Sequence, residues 1–534
     1  MTRWTARSAK GYALIGSTLS VGLILAGCST AATSDSVVGA APTSYVGPAG
    51  NCAGKAPCFP DLQAAIDAAQ ANSTITVLAG SYAVATPAAP GTPAINVTKS
   101  LTITGEGSPS GPGCASGCPT FELGDGTSLG LQIAANGVKL SNLAINQKSV
   151  PGSDFAAGLV YVPANGTALY STPTLDHVSL TGGRRAVWLN AADPSITSSS
   201  FNAQAADSIF VTASSGNTNI KDNAFGGGGK GKDILFEAQQ SSPVTSGNIA
   251  VTGNTAYTKA NFFLWNSWSP ATQAQSVDLT IDHNSIVNTT SAAIVFLPTA
   301  NSGPGFGVFK GIDITNTIVQ GAGGDAVFVD YRYSPADSSV PSKGQINLSD
   351  VLTFKNTASG GTNDPTGNFG FSTGAPAAAS LGMFNVATKT NINGKDPLFV
   401  APSTGDFSLA TGSPAIKAGT NNSNIGAWQG NSPTPTPTPE KRPQIAQVNP
   451  ACGKSLSPVE ILGHNLTADT VVTFGTTPAS VVEFSDDKKD RLVVTAPKLP
   501  VGWTDITVTN AGGTFTKNHA FEIVTNGVCA QPSP

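Results

Sequence analysis

The feature that most constrains the fold is a pair of strand-like segments that repeats through the middle of the chain. The first member is an apolar anchor followed by polar residues, as in Leu140-Ser141-Asn142, and it recurs at intervals of 21 to 35 residues. The second member, such as Ala186-Val187-Trp188-Leu189, follows about eleven residues later in six repeats. Two columns of strands that stay in step indicate a solenoid in which each repeat forms one coil. The later anchors are Leu175, Ile196, Ile220, Val251, Ile281, Ile314 and Leu348.

Asparagines recur at one position of these repeats. Asn223, Asn254 and Asn284 each lie three residues after the anchor of their repeat. Stacked at one turn, their side chains would hydrogen-bond up and down the stack, and asparagine also tolerates the left-handed backbone of a corner. The sequence therefore predicts an asparagine ladder at one corner of the solenoid.

The segments at both ends of the repeats complete the pattern. Within residues 60–70, apolar residues at i, i+3, i+4 and i+7 from Leu62 predict an amphipathic helix, and strands follow at residues 75–77 and 95–104. This order resembles the opening of right-handed parallel β-helix, or pectin-lyase-like, proteins, and residues 396–428 resemble their closing segment. The resemblance implies an all-β fold, a right-handed parallel β-helix solenoid with an N-terminal capping helix.

A β-sandwich with irregular loops is the alternative arrangement for the same strands. The second members are nearly continuous apolar segments, as in residues 262–265. Strands of that kind favour a parallel sheet covered on both faces over a set of hairpins.

A second domain follows the repeats. Residues 433–439 alternate proline with threonine, which predicts an extended linker. Beyond it, short alternating strands occur at turn-punctuated intervals, as in residues 459–462 and 471–474. With Gly463-His464-Asn465-Leu466 and Thr509-Asn510-Ala511-Gly512-Gly513, this segment resembles an IPT/TIG immunoglobulin-like domain. The resemblance implies a small C-terminal β-sandwich that serves as a spacer or a binding module.

The N-terminus has the features of a bacterial export signal. Three basic residues within the first ten precede an apolar run over residues 12–26, which is short for a membrane span. Leu25-Ala26-Gly27-Cys28 resembles the lipobox of bacterial lipoproteins, which implies lipidation of Cys28 and anchoring at the bacterial cell surface. An ordinary signal peptide with an incidental cysteine is the alternative.

These observations predict six segments along the chain. They are a lipoprotein signal peptide with its lipidation site (1–28), a flexible tether (29–44), the β-helix (45–430), the Pro/Thr linker (431–442), the IPT/TIG-like domain (443–525) and a C-terminal tail (526–534).

The chain has seven cysteines, and six remain once Cys28 is set aside. An even remainder in an exported chain predicts disulfides, and no C-x-x-C pattern suggests structural zinc. The pairs expected from proximity or position are Cys52 with Cys58, Cys114 with Cys118, and Cys452 with Cys529.

Charge narrows the possible partners. The formal net charge is −4, and only 11% of the residues are charged. A chain of this kind has no basic field for nucleic acid. The β-helix resemblance implies a polysaccharide or cell-surface glycan as partner, the lipobox implies a membrane through the lipid anchor, and we expect a monomer.

Three charged residues lie at the entrance to the second strand column on consecutive repeats: Arg185, Asp207 and Asp233. Two carboxylates one rung apart, about 4.8 Å, could hold Ca²⁺ or act as an acid/base pair, and an adjacent arginine could steady a uronate. Pectate-lyase-like enzymes are similar in using such an arrangement on a strand face. The alternative is a charge ladder at a corner, neutralised by neighbouring cations.

His177 and His283 occupy the same place in their repeats, each after an aspartate. Four repeats separate them, or roughly 19 Å at about 4.8 Å a rung, so they cannot share a metal ion. We expect solvated corner histidines and no metal centre.

Aromatic residues suggest where a ligand binds. Long insertions from one corner should wall a groove along a strand face, where outward-facing rings would contact sugars, whereas inward-facing rings would only fill the core. The residues expected to line this groove are Trp188, Trp265, Trp268, Asp330, Tyr331, Arg332 and Tyr333.

Two functions follow from these features. The first is a surface-anchored β-helix without catalytic activity. It binds extracellular polysaccharide, a cell-surface glycan or another surface, or is displayed toward one of them. The second is a polysaccharide lyase or glycoside hydrolase acting on uronate-containing glycans through Arg185, Asp207 and Asp233. The motifs of polygalacturonases and pectin methylesterases are absent, so the fold resemblance by itself carries no activity.

Overall fold

The computed structural model of this chain describes residues 43–89, 91–148, 157–227, 231–237, 245–257, 259–267, 277–298, 309–330, 346–357, 368–371, 384–387, 389–427, 443–464, 466–467, 470–484, 491–510 and 513–525. The predicted signal peptide with Cys28, nearly all of the tether, the Pro/Thr linker and the C-terminal tail lie outside these residues. Within the described ranges, no helix is long and apolar enough to cross a membrane.

Three long parallel sheets, here called A, B and C, contain 13, 11 and 12 strands. Neighbouring strands of one sheet come from consecutive coils; Ile196, for example, pairs with Ile220 of the next coil. A full coil therefore adds one strand to each sheet, which is the parallel β-helix predicted from the sequence. The β-sandwich alternative is wrong for this part of the chain.

The strands of sheet A are Thr43–Val46, Cys58–Phe59, Ser73–Val77, Leu101–Gly105, Lys139–Ser141, Thr174–Asp176, Ser195–Thr197, Asn217–Lys221, Gly247–Thr252, Val277–Asp282, Phe309–Thr315, Ile346–Ser349 and Phe384–Val386. The strands of sheet B are Ser81–Val84, Thr120–Leu123, Ala144–Gln147, Ser179–Gly182, Ser200–Asn202, Ala224–Gly226, Thr255–Tyr257, Ser285–Val287, Ile318–Gln320, Leu352–Phe354 and Ile392–Asn393. The strands of sheet C are Pro93–Val97, Leu129–Ile133, Gly158–Val162, Val187–Ala192, Ile209–Ser215, Lys232–Glu237, Asn261–Ser267, Ile294–Pro298, Val327–Val329 and Phe369–Phe371, together with the hairpin Ala164–Asn165 and Ala168–Ser171.

The apolar anchors of the repeats form one column inside the solenoid. All of them, from Leu140 to Leu348, are at most 1% exposed. Full burial of a leucine, isoleucine or valine side chain contributes roughly 1.5–3 kcal/mol. This column therefore sets the register in which the coils stack.

Sheet B was not predicted, because the sequence analysis recognised two strand columns and each coil has three strands. Most strands of sheet B have three or four residues, and some place a single large side chain inside, as at Phe201 and Phe225. These two rings stack with their centroids 5.0 Å apart. One inward residue gives no alternation from which a strand could be recognised.

The capping helix is confirmed at Leu62–Ala68. The Asp61 carboxylate accepts a hydrogen bond from the Ala64 N–H at 2.8 Å, which is the usual N-terminal cap. Leu62, Ala65 and Ile66 face the solenoid interior and are buried. The helix therefore covers the apolar end of the coil stack.

The asparagine ladder is also confirmed, at the corner between sheets A and B. The Asn223 amide donates to Asn254 Oδ1, and the Asn254 amide donates to Asn284 Oδ1, both at 3.0 Å. The predicted left-handed backbone is one residue earlier, however, at Asp222 (φ 56°) and His283 (φ 51°). The corner residue thus points outward, and the following asparagine points inward.

The C-terminal domain is a β-sandwich, as predicted. One sheet contains Gln444–Asn449, Pro458–His464, Ser480–Phe484 and Arg491–Thr495. The other contains Cys452–Gly453, Val471–Phe474, Thr477–Pro478, Gly502–Asn510 and Gly513–Ile523. Apolar residues from both sheets, including Val459, Phe474 and Phe521, form its buried core.

The disulfides Cys52–Cys58 and Cys114–Cys118 are confirmed. Cys452 is disulfide-bonded, and its predicted partner Cys529 lies outside the described residues.

Candidate functional site

Arg185 and Asp207 meet just before two adjacent strands of sheet C, Val187–Ala192 and Ile209–Ser215, as predicted. Val187 pairs with Ile209, so Arg185 lies opposite Asp207, and Arg185 Nε is 3.5 Å from Asp207 Oδ2. Both residues are at most 4% exposed, and the guanidinium of Arg185 lies 4.3 Å from the ring centroid of Phe210. Burial lowers the pKa of Arg185, while the Asp207 charge acts in the opposite direction. The pair is a desolvated ion pair held against an aromatic face.

Asp233 does not join this pair on the same face, which corrects the prediction of three aligned charges. Ile209 pairs with Ile234, so Asp207 lies opposite Lys232, and Asp233 is one residue further along its strand. Successive side chains of a strand point to opposite faces. Asp233 is 1% exposed, and no described residue hydrogen-bonds to either carboxylate oxygen. The predicted paired carboxylates for Ca²⁺ or acid/base chemistry are therefore not presented together.

The pKa of Asp233 reflects its enclosure. Desolvation raises it to about 8, the Asp207 charge acts in the same direction, and the Lys259 charge lowers it. Lys259 is itself 1% exposed, with Nζ 3.4 Å from the Gln204 carbonyl oxygen, and burial lowers its pKa. Sequence reasoning missed Lys259, because it belongs to no strand and the repeat spacing does not mark it.

Trp188 lies on the outer face of sheet C, in line with Tyr161 and Phe210. The ring centroids are 4.9 Å apart for Tyr161 and Trp188 and 5.9 Å apart for Trp188 and Phe210. The Trp188 indole N–H donates to Thr212 Oγ1 at 3.1 Å, which fixes the ring while it stays half-buried. This placement agrees with the expectation that Trp188 faces outward.

Trp265 is inside the solenoid, so the prediction that it lines an outer groove is wrong. It is 3% exposed and packs against Phe236 and Phe309, with ring centroids 5.3 and 4.7 Å away. Strand alternation sends Leu264 outward and Trp265 inward. Asp330 is also buried, at 3% exposure. Trp268, Tyr331, Arg332 and Tyr333 lie outside the described residues.

A cleft of about 270 Å³ opens on the outer face beside Arg185. We call it the outer cleft. Its lining includes the cations Arg184, Arg185 and Lys232 and the acids Asp207 and Glu237, with apolar surface from Phe210 and Leu235. The excess of cationic side chains makes this cleft suited to an anionic group.

A second cavity, of about 350 Å³, lies at the corner between sheets A and B. We call it the corner groove. Its floor includes the corner residues His177, Ser198, Asp222 and Gly253, and its walls include residues 109–112 and Ala427. His177 Nδ1 is 3.1 Å from Asp176 Oδ1.

The two corner histidines are half-buried rather than fully solvated, with side-chain exposures of 28% for His177 and 24% for His283. His283 Nε2 lies 3.2 Å from Ser423 Oγ, a contact that the sequence did not predict. Within the described ranges, no group of three or more potential metal-binding side chains is found.

The described residues form a parallel β-helix and a separate C-terminal β-sandwich. Residues 443–523 match the IPT/TIG domain family, in agreement with the motifs of that segment. The search of curated proteins found no match.

The solved structures that are similar to this chain include a pectate lyase and a mannuronan epimerase module. Pectate lyase Pel9A shares 12% identity at a TM-score of 0.43, covering 73% of this chain and 96% of that one. The A-module of Azotobacter vinelandii mannuronan C-5 epimerase AlgE4 shares 14% identity at a TM-score of 0.33, covering 62% and 90%.

Proposed function

We propose that the protein is exported, lipid-anchored at the bacterial cell surface, and binds extracellular polysaccharide as a monomer without catalysing a reaction on it. The observation that carries the proposal is the outer cleft beside the aromatic pair Tyr161 and Trp188. Adjacent aromatic rings offer flat faces to sugar rings, and cations beside them can hold charged substituents.

The charges of the outer cleft favour an acidic glycan. Arg185 pairs with Asp207, and Arg184 and Lys232 are half-buried in the lining of the cleft. A guanidinium group can bind a carboxylate through two parallel hydrogen bonds, and an ammonium group adds a point charge. Glycans that contain uronate are therefore the ligands to use in a binding experiment.

The positions of the carboxylates support binding over catalysis. Asp207 is paired with Arg185, and Asp233 is enclosed away from the outer cleft. A glycosidase needs two carboxyl groups flanking one sugar bond, and a lyase of the expected type needs carboxylates that share a cation. The alternative, a uronate-specific lyase or hydrolase, is tested in the same experiment.

The experiment titrates the purified protein with polygalacturonate and alginate by calorimetry while unsaturated ends and reducing sugar are followed. We expect binding without products. Arg184→Ala and Lys232→Ala should each weaken binding by about threefold to tenfold, the loss expected for one hydrogen bond at a partly solvated site. Lys310→Ala is the matched control, because this exposed lysine pairs with Asp278 and does not line the cleft. If the wild type forms products and Asp207→Ala does not, the protein is an enzyme. Absence of binding to both glycans would refute the proposal.

The anchor has its own test. Replacing Cys28 by serine removes the thiol that a lipid would modify, so we expect release into the medium or accumulation of the unprocessed chain. Membrane retention equal to that of the wild type would contradict the lipid anchor.

A further inference from the structure

The corner groove is the open part of a longer polar column. Its walls are attached to the solenoid on either side. On one side, the Gly113 N–H donates to the Ser198 carbonyl at 2.7 Å. On the other side, the Ala427 N–H donates to Ser285 Oγ at 3.0 Å. These attachments leave the corner groove preformed between the disulfide loop of Cys114–Cys118 and the C-terminal end of the β-helix.

Further along the same corner, residues 419–427 cover the column. Their contacts show which groups the outward corner side chains bind. His283 Nε2 lies 3.2 Å from Ser423 Oγ. The Thr420 hydroxyl donates to Asp350 Oδ2 at 2.7 Å. In the covered coils, therefore, hydroxyl groups of this chain meet His283 and Asp350, and Asn316 between them accepts a hydrogen bond from the Thr420 backbone N–H.

His177 repeats the geometry of His283 without such a cover. Both residues have φ near 51°, and both place Nδ1 beside the carboxylate of the preceding aspartate. His283 Nε2 meets a serine hydroxyl, whereas no described residue hydrogen-bonds to Nε2 of His177. Two rungs beyond His177, the Asp222 side chain is about half exposed and also lines the corner groove.

Gly253 makes room for the Asp222 carboxylate at the floor of the corner groove. A Cβ at position 253 would lie 2.1 Å from Asp222 Oδ1, and the backbone there has a left-handed φ of 67°. Glycine is the residue that adopts this conformation without strain and leaves space above the neighbouring carboxylate. The Asp222 carboxylate therefore lies against the backbone of Gly253, and its exposed part, about half of the side chain, lines the corner groove.

We infer that the corner groove is a second ligand site, separate from the outer cleft, that binds a neutral, hydroxyl-bearing saccharide. Ligand hydroxyls take the place that Ser423 and Thr420 occupy in the covered coils. His177, Ser198 and Asp222 recur at about 4.8 Å per rung, which lets an extended glycan contact successive coils. Asp176 beside His177 and Asp222 beside Lys221 place two carboxylates against one lysine at this corner, which disfavours an anionic sugar. The wall of residues 109–112 contains two prolines that can pack against the apolar face of the saccharide.

The test titrates the full chain with hexasaccharides of β-1,4-linked glucose, xylose and mannose, and records the ¹⁵N resonances of the histidine rings. We expect at least one of the three to bind and to shift Nε2 of His177. His177→Phe keeps the ring volume but removes Nε2, and should weaken binding about tenfold. His519→Phe is the matched control, because this histidine is exposed and lies in the C-terminal domain.

Ser198→Trp is a second variant, which fills the corner groove without removing a polar partner of His177, and should abolish binding. Thermal unfolding of each variant establishes that the solenoid is folded. Absence of binding to all three hexasaccharides, or wild-type affinity in His177→Phe and Ser198→Trp, would overturn the inference. Arg184→Ala should leave this binding unchanged, so failure here and failure of the acidic-glycan proposal are distinguishable.

Discussion

Two buried polar clusters lie inside the same coils of the β-helix and differ in how well they are satisfied. In the asparagine ladder, Asn254 accepts hydrogen bonds from the Asn223 backbone and side-chain amides and donates to Ile220 O and Asn284 Oδ1. In the charged cluster, Asp233 and Lys259 are equally buried, yet no described residue hydrogen-bonds to the Asp233 carboxylate.

The difference follows from the chemistry of the groups. A primary amide both donates and accepts, so a column of amides satisfies itself from coil to coil without burying a charge. An ionised carboxylate only accepts and loses its hydration on burial, so it needs donors that face it. The ladder should therefore stabilise the solenoid, whereas the charged cluster should reduce its stability.

The largest expected loss of stability comes from breaking the ladder. Asn254→Ala removes four hydrogen bonds and leaves neighbouring amide groups buried without partners, so we expect the free energy of unfolding to fall by about 3–4 kcal/mol. Urea denaturation measures the change. A loss below about 1 kcal/mol would show that the coils do not depend on the ladder.

The next effect concerns Lys259. Lys259→Met removes the cation that lowers the pKa of Asp233, so ionisation of that carboxylate becomes more costly in the folded state. We expect the loss at pH 9, where Asp233 is ionised in the wild type, to exceed the loss at pH 6 by about 1 kcal/mol, because protonation of Asp233 in the variant limits the cost. Equal losses at the two pH values would mean that Lys259 acts on stability independently of the Asp233 charge.

Asp233→Asn should have an effect of the opposite sign. Burial raises the pKa of Asp233 to about 8 in the folded chain, against about 3.9 unfolded. Between these values the folded state binds a proton that the unfolded state lacks, so wild-type stability falls by about 1.4 kcal/mol for each pH unit as pH rises through this window. The stability of the variant relative to the wild type should therefore be higher by about 5 kcal/mol at pH 9 than near pH 4. Denaturation at both pH values tests this, and a gain independent of pH would contradict the assignment.

The smallest expected effect is that of Asn248→Ala, which tests whether an exposed asparagine pair matters as much as the buried ladder. The Asn248 amide donates to Asn217 Oδ1 at 3.0 Å on the exposed face of sheet A. Because water can replace this bond, Asn248→Ala should change stability by no more than about 0.5 kcal/mol. A loss as large as that of Asn254→Ala would mean that burial does not explain the importance of the ladder.

Regularly repeated features were predictable from the sequence. Spacing predicted the anchors from Leu140 to Leu348 and the ladder asparagines, because a solenoid places residues of similar spacing in one column. The helix after Asp61 was predicted from its helical pattern of apolar residues. The sheet B strands were missed, because a strand that buries one large side chain carries no periodic signal.

The candidate sites were predictable only in part. The ion pair of Arg185 with Asp207 follows from consecutive coils, but Asp233 is displaced by one strand position, and that single residue sends its carboxylate to the other face. The same rule sends Trp265 into the core while Trp188 stays outside. A register error of one residue is too small to see in repeats whose lengths vary from 21 to 35 residues.

The sequence by itself determined the kind of molecule: a β-helix closed by a helix, stacked on an apolar column and an asparagine ladder, and followed by an IPT/TIG domain. These properties depend on local periodicity and on short motifs, which are present in the chain before it folds. Tertiary structure alone decided which side chains share a face, that Lys259 lies near Asp233, and that Ser423 meets His283 while His177 faces a groove. Those contacts join residues up to 140 positions apart, and their geometry depends on strand register and on how the ends of the chain cover the coils.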